Sequence, residues 1–205
     1  IGETGSGKTS LAKLFMEFYS PDKGHIYVDG AELQNFEVQE IRKAVVYVSQ
    51  EDFLFTASVR ENLKMGNEEI SDEEMIEISR KMGVHQFVSK MEREYDSVLE
   101  ERGKNLSKGQ RQKLSLTRAI LRHPKILILD EATSNMDSIS EREILNYIKG
   151  IRDITLILIS HRINVIADSD CIYVLQKGNI VARGTDEQLK EQCELYRQLY
   201  GEEEK

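Results

Sequence analysis

The apolar pattern of the chain changes character twice, from mixed helix and strand to helix alone and back again. From Thr9 onward, Leu11, Leu14, Phe15 and Phe18 recur at i, i+3, i+4 and i+7, which predicts a helix with one apolar face. Ser20-Pro21-Asp22-Lys23-Gly24 ends it with turn residues. His25 to Asp29 predicts a short strand before Gly30, and the β-branched run Ala44 to Ser49 a buried strand stopping at Gln50. The next stretch, roughly 52–122, reads as helical. Ser58-x-x-Glu61 and Ser71-x-x-Glu74 are capping-box signatures. Met75, Ile78 and Met82 mark an apolar face there, and Gly83 is a C-cap.

Strands then return. Ile126 to Leu129 predicts one, Ser138-x-x-Glu141 opens a helix with Ile144, Ile148 and Ile151 on one side, and Thr155 to Ile159 predicts the next strand. Two fully apolar strands joined through a helix imply a parallel sheet covered on both faces. Cys171 to Gln176, the turn at Lys177-Gly178 and Asn179 to Arg183 read as a hairpin. Thr185-x-x-Gln188 caps a last helix that turns Leu189, Cys193, Tyr196 and Tyr200 inward, and Gly201 to Lys205 reads as a frayed tail.

Composition narrows the class. With 205 residues, 40% of them apolar and 31% charged, the chain is long enough for a sizeable core and ordinary for a soluble protein. The net charge of −8 counts against a protein that tracks a phosphate backbone, so no nucleic-acid partner is expected. Cys171 and Cys193 fit no metal spacing and read as reduced thiols with a packing role. No apolar run reaches the ~20 residues of a membrane span and no signal peptide is visible.

Candidate chemistry stands in five motifs in fixed order. Gly2-Glu3-Thr4-Gly5-Ser6-Gly7-Lys8-Thr9 fits the P-loop pattern G-x-x-x-x-G-K-[ST], with Ser10 next to it. Its glycines permit a tight loop whose N–H groups surround phosphates at a helix start; Lys8 adds a point charge, and the Thr9 hydroxyl ligates Mg²⁺. A P-loop follows a complete strand, yet only Ile1 precedes Gly2, so the chain is expected to be an N-terminally truncated piece of a longer protein. Lys125-Ile-Leu-Ile-Leu-Asp130-Glu131 is a buried strand delivering two carboxylates to the sheet's C-terminal edge, Asp130 for Mg²⁺ and Glu131 as general base. Gln50 and His161 each follow an apolar strand. The Gln50 amide oxygen suits the metal or the attacking water, and His161 the γ-phosphate. Leu106-Ser107-Lys108-Gly109-Gln110 opens a second helix whose N-terminus offers another anion cradle, of little use within one domain but apt for a partner's nucleotide.

This set resembles the nucleotide-binding domain of ATP-binding cassette proteins over the whole chain. In that family GETGSGKT is the Walker A motif, Gln50 the Q-loop glutamine, LSKGQ the signature, ILILDE Walker B, Ser134 to Asp137 the D-loop and His161 the switch histidine. The resemblance implies an α/β fold, a P-loop NTPase core with a mostly parallel sheet and an inserted helical subdomain. The first part of the core would be 1–51, the helical subdomain 52–122 and the second part of the core 123–205. It implies ATP and Mg²⁺, with Gly2 to Ser10 on the phosphates and Ser107, Gly109, Gln110 and Asp137 on the ATP of a facing subunit. Thr9, Gln50 and Asp130 would serve the metal, and Lys8, Gln50, Glu131 and His161 the reaction. Gln50 to Phe55 with Val59-Arg60-Glu61-Asn62, Tyr95-Asp96 with Glu101-Arg102-Gly103, and Gly184 to Leu189 are similar to the exporter branch. There membrane domains precede this one in the same polypeptide, at the cytoplasmic face of a membrane. A second nucleotide-binding domain completes a homo- or heterodimer. Phe53 to Phe55 then lie near the membrane domain, or else pack the core.

Three positions depart from the family: Lys108 stands where glycine is usual, Asn135-Met136 where Ala-Leu is common, and Glu100 where glycine is usual. The aromatic that stacks on adenine belongs upstream of Ile1, and neither Tyr19 nor Tyr27 substitutes for it. Two other functions fit less well. A soluble cassette acting on DNA or ribosomes has no room for a coiled coil in the 56 positions from Gln50 to Leu106. A regulatory cassette with little hydrolysis sits poorly with Glu131 and His161.

Overall fold

The structure, a computed structural model, describes residues 1–51 and 53–203, and its contacts divide the chain into two compact units. Ile1–Val38 and Leu158–Lys205 form the first; Gln39–Ile157 forms the second. Asp52, Glu204 and Lys205 lie outside the described residues, as does the side chain of Tyr200.

Helix α1 (Lys8–Phe15) starts directly at the P-loop. It buries Ala12 and Met16 and leaves Leu11 and Phe18 42% and 53% exposed, so the expected Leu11–Phe18 face is corrected by one residue. Each residue rotates a helix by 100°, and an apolar repeat fixes the covered face no better than that. The helix also stops before the expected turn residues. Glu17 adopts φ 51, Phe18 N–H returns to the Lys13 carbonyl and Glu17 N–H to that of Leu14, an αL end without glycine. The short strand expected at 25–29 is a hairpin: β1 (Tyr27–Val28) and β2 (Ala31–Glu32) pair antiparallel. Asp29 and Gly30 supply the two positive φ values of a type I′ turn.

In the second unit, α2 (whose helix spans Val38–Ala44) leads into β3 (Val45–Val48). The helical stretch follows as α3 (Val59–Lys64), α4 (Asp72–Lys81), the short α5 (His85–Val88) and α6 (Lys108–Leu121). Ser58 closes a full capping box with Glu61, and Ser71 accepts from Glu74 N–H. Met75 and Met82 are fully buried, and Gly83 takes the positive φ of a helix end. Strand β4 (Ile126–Asp130) runs parallel to β3 with Val48 opposite Leu129. Helix α7 (Ser138–Lys149) is capped by Asp137, which accepts from Ser140 N–H, one residue before the expected start. Glu141 is therefore not the capping partner but a buried residue of the helix. Strand β5 (Thr155–Ile159) lies on the other side of β4 in the order β3-β4-β5, and Thr155 N–H bonds the Lys125 carbonyl.

The chain re-enters the first unit at Leu158, within β5, and continues through α8 (Ile163–Ile166) and the hairpin β6 (Ile172–Gln176) and β7 (Asn179–Gly184), turned by Lys177-Gly178. The single C-terminal helix expected is two, α9 (Asp186–Gln192) and α10 (Glu194–Glu203), broken where Cys193 turns extended. Leu189, Cys193 and Tyr196 are buried as expected, and helix continues through Gly201 to Glu203 where a frayed tail was expected. Cys171 is exposed, so the packing role expected for both cysteines belongs to Cys193 alone.

One buried polar residue organises the entry to the helical stretch. Asn62, 1% exposed, accepts Phe55 N–H at 2.9 Å and donates to the carbonyls of Phe55 and Ser58, both at 3.0 Å. It replaces the ladder that an irregular buried segment lacks. Asn62→Ala is expected to cost about 2–3 kcal/mol, because it leaves buried backbone groups unpaired. A shift of the urea midpoint at constant slope measures it; an unchanged midpoint excludes this role.

Candidate functional site

In the first unit the P-loop is held by its neighbours' backbone. Ile1 N–H donates to the Tyr173 carbonyl and Leu175 N–H to the Ile1 carbonyl, both at 2.8 Å, so Ile1 pairs with β6 as a strand residue would. Gly178 N–H then bonds the Ser6 carbonyl at 3.0 Å. Gly2 is forced at this spot: a Cβ would sit 2.1 Å from the Leu175 carbonyl oxygen, at φ 154. Gly7 precedes α1 at φ 100 and contributes no side-chain cap, so the residue before the helix does not compete for the N–H groups at its start. The Lys8 ammonium curls over the loop and donates to the carbonyls of Gly2 (2.7 Å) and Glu3 (2.9 Å), with Ser6 Oγ at 3.4 Å. Thr9 and Ser10 follow on exposed positions of the first turn. A loop with Gly2, Gly5 and Gly7 at positive φ, one ammonium and a helix start suits a polyphosphate. His161 is also in this unit, exposed and two residues beyond β5, after a buried Ser160 whose hydroxyl accepts from Arg162 N–H.

In the second unit the parallel pair β3 and β4 delivers the other strand-end residues. Val48 is opposite Leu129, so Gln50 and Glu131 each stand two positions beyond that pair, and Asp130 one. Asp130 is 7% exposed and accepts a hydrogen bond from the Tyr47 hydroxyl at 2.8 Å. Tyr47 was not foreseen as a site residue, because nothing in a strand residue 83 positions away signals that contact. Glu131 adopts φ 52, a conformation that costs a non-glycine residue of order 1 kcal/mol and recurs at functional positions. Among the described residues no three His, Cys, Asp or Glu side chains gather as a metal cluster. Mg²⁺ takes one or two protein oxygens and completes its shell with phosphate and water. The hydroxyl of Thr9, the carboxylate of Asp130 and the amide oxygen of Gln50 are oxygen donors of that kind.

The same unit gathers Ser107, Gly109, Gln110 and Asp137 around one open cleft of about 510 Å³. Ser107 caps α6 in a full capping box: its hydroxyl accepts from Gln110 N–H, and the Gln110 amide oxygen accepts from Ser107 N–H at 2.9 Å. The N–H groups of Lys108 and Gly109 have no intrahelical acceptor, as at any helix start. Lys90, Lys108 and Lys113 line the cleft as well. The cleft is therefore a second anion-receptive surface, and the unusual Lys108 makes it more positive. Phe53 and Phe55 are 55% and 40% exposed and stack edge to face at 4.8 Å, which rules out the core-packing alternative.

The Tyr47–Asp130 bond yields a pH test. Burial first, then the hydrogen bond and negative charge of Asp130, raise the Tyr47 pKa. The native state thus holds this proton more tightly than the unfolded chain, and the contribution is intact below the ordinary tyrosine value of about 10 and is lost as pH rises above it. The stability difference between the parent and Tyr47→Phe is expected to be constant below about pH 9 and to shrink above about 10. A difference that grows with alkaline pH would contradict the assignment.

Comparison with known proteins gives a consistent answer. The family model described as ABC transporter matches residues 1–134. The heterocyst differentiation ATP-binding protein HepA of Nostoc is 43% identical over 193 residues, covering 94% of this chain and 32% of that protein. The lactococcin-G-processing and transport ATP-binding protein of Lactococcus lactis is 40% identical, over 97% of this chain and 28% of its own length. Among solved structures, a bacterial Atm1-family ABC exporter with ATP bound superposes with a TM-score of 0.94 at 31% identity, over 98% of this chain and 36% of that one. The chain thus spans about a third or less of these relatives. With the P-loop, the paired strand ends and the capped signature helix all built as described, the chain belongs to the ABC transporter family.

Proposed function

We propose that this chain is the ATP-binding and ATP-hydrolysing domain of an exporter, closing on ATP with a second such domain to drive a solute across a membrane. The observation that carries the reading is the P-loop itself, a helix start without a side-chain cap and with an ammonium lying over it. The roles divide by chemistry. Backbone N–H groups from Gly2 to Ser10 and the Lys8 ammonium neutralise the phosphates. Thr9, Asp130 and Gln50 hold Mg²⁺, which when bound offsets negative charge on the β- and γ-phosphates. Glu131 takes a proton from water as its oxygen attacks the γ-phosphorus and the bond to ADP breaks; His161 orients the same water and γ-phosphate. Ser107, Gly109, Gln110 and Asp137 receive the ATP bound to the partner domain, a homologous or different copy.

The segments 1–51, 52–122 and 123–205 serve respectively as phosphate-binding part, helical arm and catalytic part. Transmembrane domains, placed N-terminal in the same polypeptide as the relatives' length allows, meet the exposed Phe53 and Phe55. The domain then works at the cytoplasmic face. No helix among the described residues is long and apolar enough to cross a membrane.

In the intact protein, Glu131→Gln is expected to keep ATP binding, to lower turnover by about 10²–10⁴-fold as loss of a general base does, and to trap the closed dimer. Steady-state phosphate release and size-exclusion chromatography with ATP measure both. Turnover at half the parental rate would remove Glu131 from the role of base.

A further inference from the structure

We propose that Gln112 is a positioning residue that couples the two nucleotide sites of the closed dimer, an inference resting on the reading above. Gln112 lies two residues past the capping residue Gln110 on α6 and is fully buried. Its Oε1 accepts the backbone N–H of Asn135 at 3.0 Å. Its Nε2 is equally buried and has no hydrogen-bond partner. An apolar side chain of the same length would leave no such donor unpaired. The amide is thus a liability at one end, and what it provides is the bond to Asn135 at the other.

That bond does not stand alone. Gly109, one turn before, lies so close to the same residue that a Cβ there would meet the Asn135 carbonyl oxygen at 3.1 Å. Lys113, next to Gln112, donates to Ser140 Oγ at 2.9 Å in the first turn of α7. The start of α6 is fastened to Asn135 in the loop 131–137 and, beyond it, to the first turn of α7. The loop itself is stiff. Ser134 N–H bonds the Glu131 carbonyl, Met136 N–H that of Thr133, and Asp137 caps α7. Three residues of tight turn therefore separate Asn135 from Glu131.

The consequence follows from which nucleotide each part serves. Glu131 acts on the ATP in its own P-loop, whereas Ser107 and Gly109 receive the partner's. Gln112 ties the helix carrying the second set to the loop leaving the first. Engagement of the partner's phosphates by α6 is thereby transmitted to the carboxylate of Glu131, and ATP at one site sets the base at the other. A residue that merely filled the core would not link the two.

The test uses the intact protein and two substitutions. Gln112→Met keeps length and bulk but loses the accepting oxygen; Gln112→Glu keeps that oxygen. Gln112→Met is expected to expose the Asn135 amide to faster hydrogen exchange, to lower kcat about tenfold with little change in ATP binding to the resting protein, and to bring the Hill coefficient for ATP down toward one. Gln112→Glu is expected to restore much of the rate and the cooperativity. Parental kcat and cooperativity in Gln112→Met overturn the coupling, as does an equal defect in both variants. If Gln112→Met fails to fold, cooperativity in Gln112→Glu decides: retained, it supports the role; lost, it overturns it. A parent that hydrolyses no ATP, or does so without cooperativity, overturns the dimeric ATPase reading and the inference with it.

Discussion

A polyphosphate is gripped by backbone N–H groups that a fold must leave unpaired, and a helix start offers them only if its neighbours hold it still. Both candidate anion surfaces answer that constraint, in opposite ways. At α1 the residue before the helix is Gly7, which brings no side chain, and rigidity comes from outside the loop: Ile1 paired to β6, Gly2 wedged against the Leu175 carbonyl, Ser6 bonded to Gly178. At α6 the start is stiffened from within, by the reciprocal bonds of Ser107 and Gln110. The first arrangement leaves the loop's glycines at positive φ and the helix start without a side-chain cap from the residue before it. The second uses one N–H for the cap and presents the remaining donors toward an open cleft, which suits contact with a nucleotide already held elsewhere.

Polar groups inside each unit serve these starts more than they serve stability. Asn62, Gln112 and the Tyr47–Asp130 pair are buried or partly buried groups, and polar burial of this kind is at best marginally favourable. Each fixes a group that regular structure does not fix: the backbone entering α3, the loop after β4, and the carboxylate at the end of β4. The apolar core, with Leu114, Leu116, Leu127, Ile128 and Ile148 almost wholly buried, supplies the free energy. Precision at the strand ends comes from the polar residues.

What the sequence revealed follows from range. Ser58, Ser71 and Thr185 were legible as caps because a capping interaction closes within three residues. The strands at 126–130, 155–159 and 172–176 were legible because continuous apolar runs between turns have few alternatives. The P-loop, Asp130-Glu131 and the signature were legible as spaced motifs. Errors arose where local rules compete. Asp137 outdid Ser138 as cap, Glu17 ended α1 without glycine, and the exposed Leu11 and Phe18 obeyed a helical repeat that the covered face does not follow. Tyr47 and Gln112 were invisible, since their partners lie far along the chain and a lone tyrosine or glutamine carries no signal. The αL conformation of Glu131 was equally hidden, because it belongs to the turn and not to the residue.

Net charge misleads in one respect that the structure resolves. A formal charge of −8 argues against a protein that tracks a long polyanion, yet says little about a nucleotide. Charges more than about 8 Å apart in solvent are largely screened at physiological ionic strength. The P-loop presents the Lys8 ammonium at a helix start. The α6 cleft presents Lys90, Lys108 and Lys113 beside another helix start, with Asp137 in the same lining. Lys108 matters in this light: placed at the first position of α6, it strengthens attraction locally without the repositioning of backbone that a change at Gly109, closed against Asn135, would force.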